Sequence, residues 1–277
     1  VTLVDNAACE QVAERVKRAE EAVAYLRESV ERYNAEHGKG HTVELAHNTF
    51  ARPRTELTFD DFIGFADNAT DVEKQIDDLF ALRDKLTSLN SQSAQNAAET
   101  SNVAFFAKLT HPTTWYADTN SAIVRLCSLP TSAWTELCNL ADGYETVDVE
   151  LIDDHSPDSL VCVVAHKADI DFLQKAAALG LVQTNYVCDE LPTVRLQRLN
   201  NVAADIGKQI DDTVSKIVAY HDKVITWQVY IDYLELLGKK SAADGNLQQT
   251  NSTFVLEAYY PADDESKVLG AIDKVTT

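Results

Sequence analysis

Residues 196–238 read LQRLNNVAADIGKQIDDTVSKIVAYHDKVITWQVYIDYLELLG. Steps of three and four connect Leu196, Leu199, Ala203, Ile206, Ile210, Thr213, Ile217, Tyr220, Val224, Trp227, Ile231, Leu234 and Gly238, a ladder six heptads long. A straight helix drifts by roughly 20° per heptad from a strict seven-residue repeat, so the regularity predicts a left-handed coiled coil. At about 1.5 Å per residue such a helix spans roughly 60 Å and needs a partner along its length. It suits holding two bodies apart better than building a catalytic pocket.

The partner is sought within the same chain. Thr58 reads as an N-cap, with Asp60 and Asp61 suited to the first turn of a helix. From there Phe62, Phe65, Ala69, Val72, Ile76 and Leu79 keep the 3-4 spacing, and Leu82, Leu86 and Leu89 continue it one step out of frame. The coiled-coil core is therefore expected to comprise Phe62, Phe65, Val72, Ile76, Leu79 and Leu86 against Leu196, Leu199, Ile206, Ile210, Ile217, Val224, Trp227, Ile231 and Leu234. Ser91 to Asn102, alanine-rich but polar, either continues that first helix exposed or frays.

Between the two helices the pattern changes to strands and short helices. Ala122–Cys127 reads as a strand, and Pro130 opens a helix carrying Trp134, Leu137 and Leu140. Thr146–Ile152 alternates as a second strand, and Leu160–Val164 reads as a third, buried on both faces. Asp169–Leu179 is a helix stopped by Gly180, and Leu181–Val187 a fourth strand. Strand–helix–strand written twice is the order of a ferredoxin-like split βαβ unit, βαββαβ. Outside the helices, Val12, Val16, Val23, Leu26 and Val30 mark an earlier amphipathic helix ended by Gly38 and Gly40. A strand at Thr253–Tyr259 and a short helix with Val268, Leu269, Ile272 and Val275 close the chain.

The expected fold class is α+β: a dumbbell of two small α/β lobes on a long antiparallel two-helix coiled-coil stalk. Its parts are 1–57 (part of a near lobe plus a linker), 58–115 (first stalk helix), 116–188 (far lobe), 189–246 (second stalk helix) and 247–277 (the rest of the near lobe).

Composition narrows the function. The 277 residues carry 44 acidic and 24 basic side chains, a net charge of −20. A field of that sign repels nucleic acid and anionic lipid and favours basic protein partners. Five cysteines (Cys9, Cys127, Cys138, Cys162, Cys188) without a C-x-x-C pair read as reduced thiols. No stretch approaches the roughly 20 apolar residues of a membrane helix. The absence of any methionine suits a fragment or processed chain.

Chemical motifs are few. His37, His41 and His47 lie together, but without a nearby cysteine or zinc-ligand spacing they read as linker histidines. Asp153, Asp154, His155, Ser156, Pro157 and Asp158 lack the alternation and glycine of a calcium loop and read as a polar turn. Gly238–Ser241 resembles only the tail of a phosphate loop and follows a helix where a strand is required. No catalytic, cofactor-binding or metal-binding residues are expected, and no enzyme activity. Trp115 and Trp134 read as domain-packing residues or, where exposed, as docking anchors.

Thr250–Pro261, TNSTFVLEAYYP, follows the long heptad helix and precedes an acidic short helix. This resembles the cytoplasmic N-terminal half of subunit I (subunit a in eukaryotes) of V-type and A-type rotary ATPases. There a coiled coil ends in a strand reading F-x-L-x-G-W-x-P; Ala258 and Tyr259 stand where Gly and Trp are usual. Leu109, Pro112 and Trp115 lie where that family has an L-x-P-W-like junction. The resemblance implies a non-catalytic stator part on the cytoplasmic face of a membrane-bound ion-translocating complex. It would tie peripheral stalks of subunits E and G to the membrane half of its own polypeptide, resist torque, bind no nucleic acid and be monomeric alone. A free-standing coiled-coil scaffold, which would self-associate through the ladder, is the alternative. A small-molecule sensor would need convergent polar groups that the sequence does not show.

Overall fold

The computed structural model describes residues 6–38, 42–45, 56–64, 69–246, 248–249, 254–255, 261 and 264–275. Two units make up the chain: residues 84–213 form one, and 1–83 with 214–277 form the other.

The unit of residues 84–213 contains a four-stranded antiparallel sheet. β1 (Ala122–Pro130), α4 (Trp134–Ala141), β2 (Val147–His155), β3 (Asp158–His166), α5 (Asp171–Ala177) and β4 (Val182–Gln183) follow one another, with sheet order β2-β3-β1-β4. Helices α1 (Asn6–His37), α2 (Phe59–Gly64) and α3 (Ala69–Ala104) come before this run, and α6 (Pro192–Val218), α7 (Val224–Asn246) and α8 (Glu265–Val275) after it. The short strands β5 (Gln248–Gln249) and β6 (Phe254–Val255) pair with each other.

β3 occupies a central place in the sheet, and its sequence shows why. Val161 and Val163 join Cys127 and Leu129 of β1 beneath Leu137 of α4 and Phe172 of α5. Leu160 and Cys162 point the other way, with Leu126 of β1, against Phe106 and Leu109. Alternate side chains of a strand face opposite sides, so a strand covered on both reads as continuously apolar.

Gly180 ends α5 at φ 90°, with the Gly180 N–H donating to the Ala177 carbonyl at 3.1 Å and Leu181 N–H to Ala176 at 3.2 Å. That pair of bonds is a Schellman cap, which needs the left-handed backbone that glycine adopts freely. Pro130 side-chain carbons lie 3.0 Å from where a Cβ would stand, so the position is closed to other residues on two grounds.

In the same unit α3 and α6 run antiparallel, since Asn96 Nδ2 donates to the Leu199 carbonyl (3.1 Å) and Glu99 pairs with Arg195. Pro192 opens α6 at a position where its missing N–H costs nothing.

In the other unit α7 meets more than one helix. It packs along α1, and α3 reaches it through polar tips: Glu73 to Tyr230 and Gln75 to Trp227. The core comprises Ala19, Ala22, Leu26 and Val30 of α1, Val72, Ile76 and Leu79 of α3, and Val224, Trp227, Tyr230 and Leu234 of α7. Ala19 and Ala22 are fully buried, and such small side chains let two backbones approach closely.

One expectation is corrected. The ladder is not one six-heptad helix: a 3-10 turn at Ala219–Lys223 separates α6 from α7. Tyr220, His221 and Asp222 are indifferent helix formers, and the tighter 3-10 winding suits short pieces of this kind. On the partner side the described helices are α2, to Gly64, and α3, from Ala69, and residues 65–68 lie outside the described ones. Of the two outcomes open for Ser91–Asn102 the helix continues: α3 runs to Ala104, with Val103 buried. Within its unit α1 packs along α7, with Ala19, Ala22, Leu26 and Val30 buried.

Candidate interaction surfaces

The expected coiled-coil positions divide by seam. Leu199, Ile206, Thr213, Trp227 and Leu234, spaced by sevens, are buried, with Tyr220 half-buried among them. On the other seam Leu196 and Ile210 are half-buried and Ala203 exposed, whereas Ile217 and Val224 are buried and Ile231 half-buried. The difference follows from the partners: α6 meets α3 in its unit, while α7 meets both α1 and α3 in the other. On the partner side Val72, Ile76 and Leu79 are buried and Leu86 is half-buried. Phe62 is half-buried and meets the Tyr233 ring edge-on at 6.2 Å. Phe65 lies outside the described residues.

Polar groups at these helix contacts are matched to each other. Trp227, fully buried, donates its indole N–H to Gln75 Oε1 at 3.2 Å. Tyr230 donates to Glu73 Oε1 at 2.7 Å, and Arg15 reaches both, 2.6 Å from the carboxylate and 3.1 Å from the phenol oxygen. Burial first, and then the Glu73 bond, push the Tyr230 phenol up to about 12. In the other unit Arg195 pairs with Glu99 and Glu190, and Arg198 with Glu190.

Among the described residues, those weighed for chemistry are engaged in structural contacts. His37 stacks on Tyr33 at 4.1 Å and bonds its carbonyl, within one helix; His41 and His47 lie outside the described residues. Asp153 and Asp154 belong to β2 rather than to a turn: Asp153 pairs with Lys108 at 2.9 Å, and Asp154 meets the hydroxyls of Thr131 and Ser159. Burial pushes the Cys127 and Cys162 thiols up to about 11, away from the thiolate form that reacts. Among the described residues no group of three or more His, Cys, Asp or Glu could hold a metal ion. Nor is any described helix long and apolar enough to cross a membrane. A groove of about 410 Å³ beside Ser101, Phe105, Thr184 and Tyr186 is wide open and gathers no charged side chain.

Both edges of the sheet are blunted. β4 covers β1 only at Cys127 and Ser128, and Thr184 N–H bonds the Leu126 carbonyl. Beyond that, Asp118 accepts the Val124 N–H at 3.1 Å, Thr119 accepts the Ala122 N–H at 3.0 Å, and Arg125 covers the Val124 carbonyl at 3.0 Å. Arg125 also pairs with Asp118 and holds that carboxyl below its ordinary value. At the opposite edge β2 carries an irregularity between Leu151 and Asp153, a device that interrupts pairing with other chains.

The surface also exposes apolar side chains. Trp115 is 69% exposed and lies flat on His111, ring centroids 3.8 Å apart and planes 4° from parallel. Thr113 Oγ1 donates to the Cys188 carbonyl and accepts its N–H at 2.7 Å, joining this segment to the one that carries exposed Val187, Leu191 and Val194. The sequence flagged Trp115 as a possible anchor but gave no sign of the segment tied to its own, some 70 positions away.

The chain is thus a mixed α+β protein of long helices and a small four-stranded antiparallel sheet. No family model matches it. No curated protein matches it. Among solved structures it is similar to the cytoplasmic N-terminal domain of subunit I, homolog of subunit a, of V-ATPase. The identity is 12%, the TM-score 0.45, and the alignment covers 99% of this chain and 88% of that one. At this level the likeness is distant.

Proposed function

We propose that the chain is a non-catalytic stator domain of a rotary V/A-type ATPase. It links peripheral stalks of subunits E and G to the ion-translocating membrane half of its own polypeptide, at the cytoplasmic face of the complex. The observation that carries this reading is the insertion of a closed four-stranded module between two long helices that run antiparallel beside it, in the order the sequence resemblance implies. Residues 58–115 and 189–246 are the stalk, 116–188 the far lobe, and 1–57 with 247–277 the near lobe. The coiled-coil positions of the sequence ladder transmit load along it. Ion pairs such as Arg195–Glu99 and satisfied buried groups such as Trp227 Nε1 support a rigid strut, since a pair held at both ends resists sliding.

Size-exclusion chromatography with light scattering, titrating the chain with the E–G heterodimer, tests the reading. A monomer that forms a salt-sensitive complex is expected. A stable homodimer that ignores the heterodimer would replace this reading with a self-assembling scaffold.

A further inference from the structure

We propose that the exposed apolar patch made by Trp115, Val187, Leu191 and Val194 is a docking surface for an amphipathic α-helix of a partner protein bearing lysine or arginine beside its apolar face. The inference deepens the stator reading, on which it rests for the existence of a partner.

Three observations lead to it. The indole is fixed without being buried: its stack on His111 and the Pro112 carbonyl bond to its backbone N–H (2.9 Å) hold it ready. A large aromatic held in place in solvent has already lost the freedom that binding would otherwise remove. The segment tied to it by the Thr113–Cys188 bonds also carries exposed apolar side chains, Val187 by 75% and Val194 by 51%.

The second observation sets the sign of the partner. Residues 84–213 hold 18 acidic and 8 basic side chains. Three of the arginines are already engaged, Arg125 by Asp118 and Arg195 and Arg198 by Glu99 and Glu190. Asp189, beside the patch, is exposed and forms no ion pair among the described residues. The field left over is negative, so a cationic rim on the partner is attracted and an anionic one repelled.

The third concerns the partner's form. A strand would add to a free sheet edge, but one edge is capped by Asp118, Thr119 and Arg125 and the other carries the β2 irregularity. The patch offers side chains rather than unpaired backbone, which suits a helix laying its apolar face on it.

An amphipathic helical peptide of leucine and lysine, followed by calorimetry and tryptophan fluorescence, tests the surface. Binding is expected, weakened about ten-fold or more by Trp115→Ala and by Val187→Asp, and absent for the same peptide with glutamate for lysine. Equal binding by Trp115→Ala would overturn the proposal, because charge alone would then explain adhesion. So would failure of the parent chain to bind, or a fall in the melting temperature of Trp115→Ala, which would make the indole a packing residue. The stalk titration separates the two readings. If the heterodimer binds parent and Trp115→Ala alike, this surface fails and the stator role stands. If it binds neither while the peptide still requires Trp115, the stator role fails and the surface stands.

Discussion

At the scale of single residues, the junction of α1, α3 and α7 shows how polar tips are handled where helices meet. Gln75 is the acceptor found for the buried indole N–H of Trp227, so Gln75→Leu strands that donor. A loss of about 1–3 kcal/mol is expected in urea unfolding. Tyr230→Phe should cost less, about 0.5–1.5 kcal/mol, because Arg15 and Glu73 remain paired at 2.6 Å without the phenol. A larger effect from Tyr230→Phe than from Gln75→Leu would reverse that ranking. The thiols make a second residue-level prediction. Cys127 and Cys162 have folded values near 11, above the ordinary 9. Their contribution to stability is therefore complete below pH 9 and lost as pH rises through 11. Unfolding midpoints measured across that window should fall, and replacing both cysteines by alanine should flatten the decline. Of the candidate residues, the sequence made the heptad positions legible, because spacing alone reveals them. It could not reveal Gln75, Glu73 or Arg15, whose importance depends on which helix happens to lie opposite.

At the scale of elements, legibility depended on how local the cause was. β3 was readable because its apolar run is itself the signature of a strand covered on both faces, and the end of α5 because Gly180 is required there. Gly180→Ala should lower the melting temperature and cost more than about 1–2 kcal/mol. Positive φ alone accounts for that much, and Pro130 obstructs a Cβ besides. An unchanged melting temperature would mean the cap relaxes at no cost. The fourth strand was read as Leu181–Val187, yet only Val182 and Gln183 pair. Tyr186 leaves the edge to stack on Phe106 at 5.2 Å, a contact with a residue some 80 positions earlier. The place of α1 was hidden for the same reason: its apolar spacing suits any partner. Only the small pair Ala19 and Ala22 hints at the close approach of α7. The 3-10 turn at Ala219–Lys223 leaves the heptad frame undisturbed, with Tyr220 and Trp227 still 5.8 Å apart, so periodicity does not betray it.

At the scale of the whole molecule, charge dominates. A net −20 in 277 residues makes the folded chain repel itself more than the expanded one. Raising salt from about 10 to about 150 mM shortens the screening length from roughly 30 to roughly 8 Å. The melting temperature should therefore rise over that range; a fall would mean that ion pairs such as Arg15–Glu73 and Arg195–Glu99 outweigh the repulsion. The same excess of acid opposes close approach of copies. The capped edge of β1 adds a second safeguard. Asp118 and Arg125 close a row of backbone donors and acceptors that would otherwise template an identical strand from another molecule, the first step toward a cross-β fibril. Because Arg125 depresses the Asp118 carboxyl below 3.8, that protection persists through mild acidity and is lost only as pH falls through the lowered value. Net negative charge fades in the same acid range, so both barriers to fibril growth are removed together.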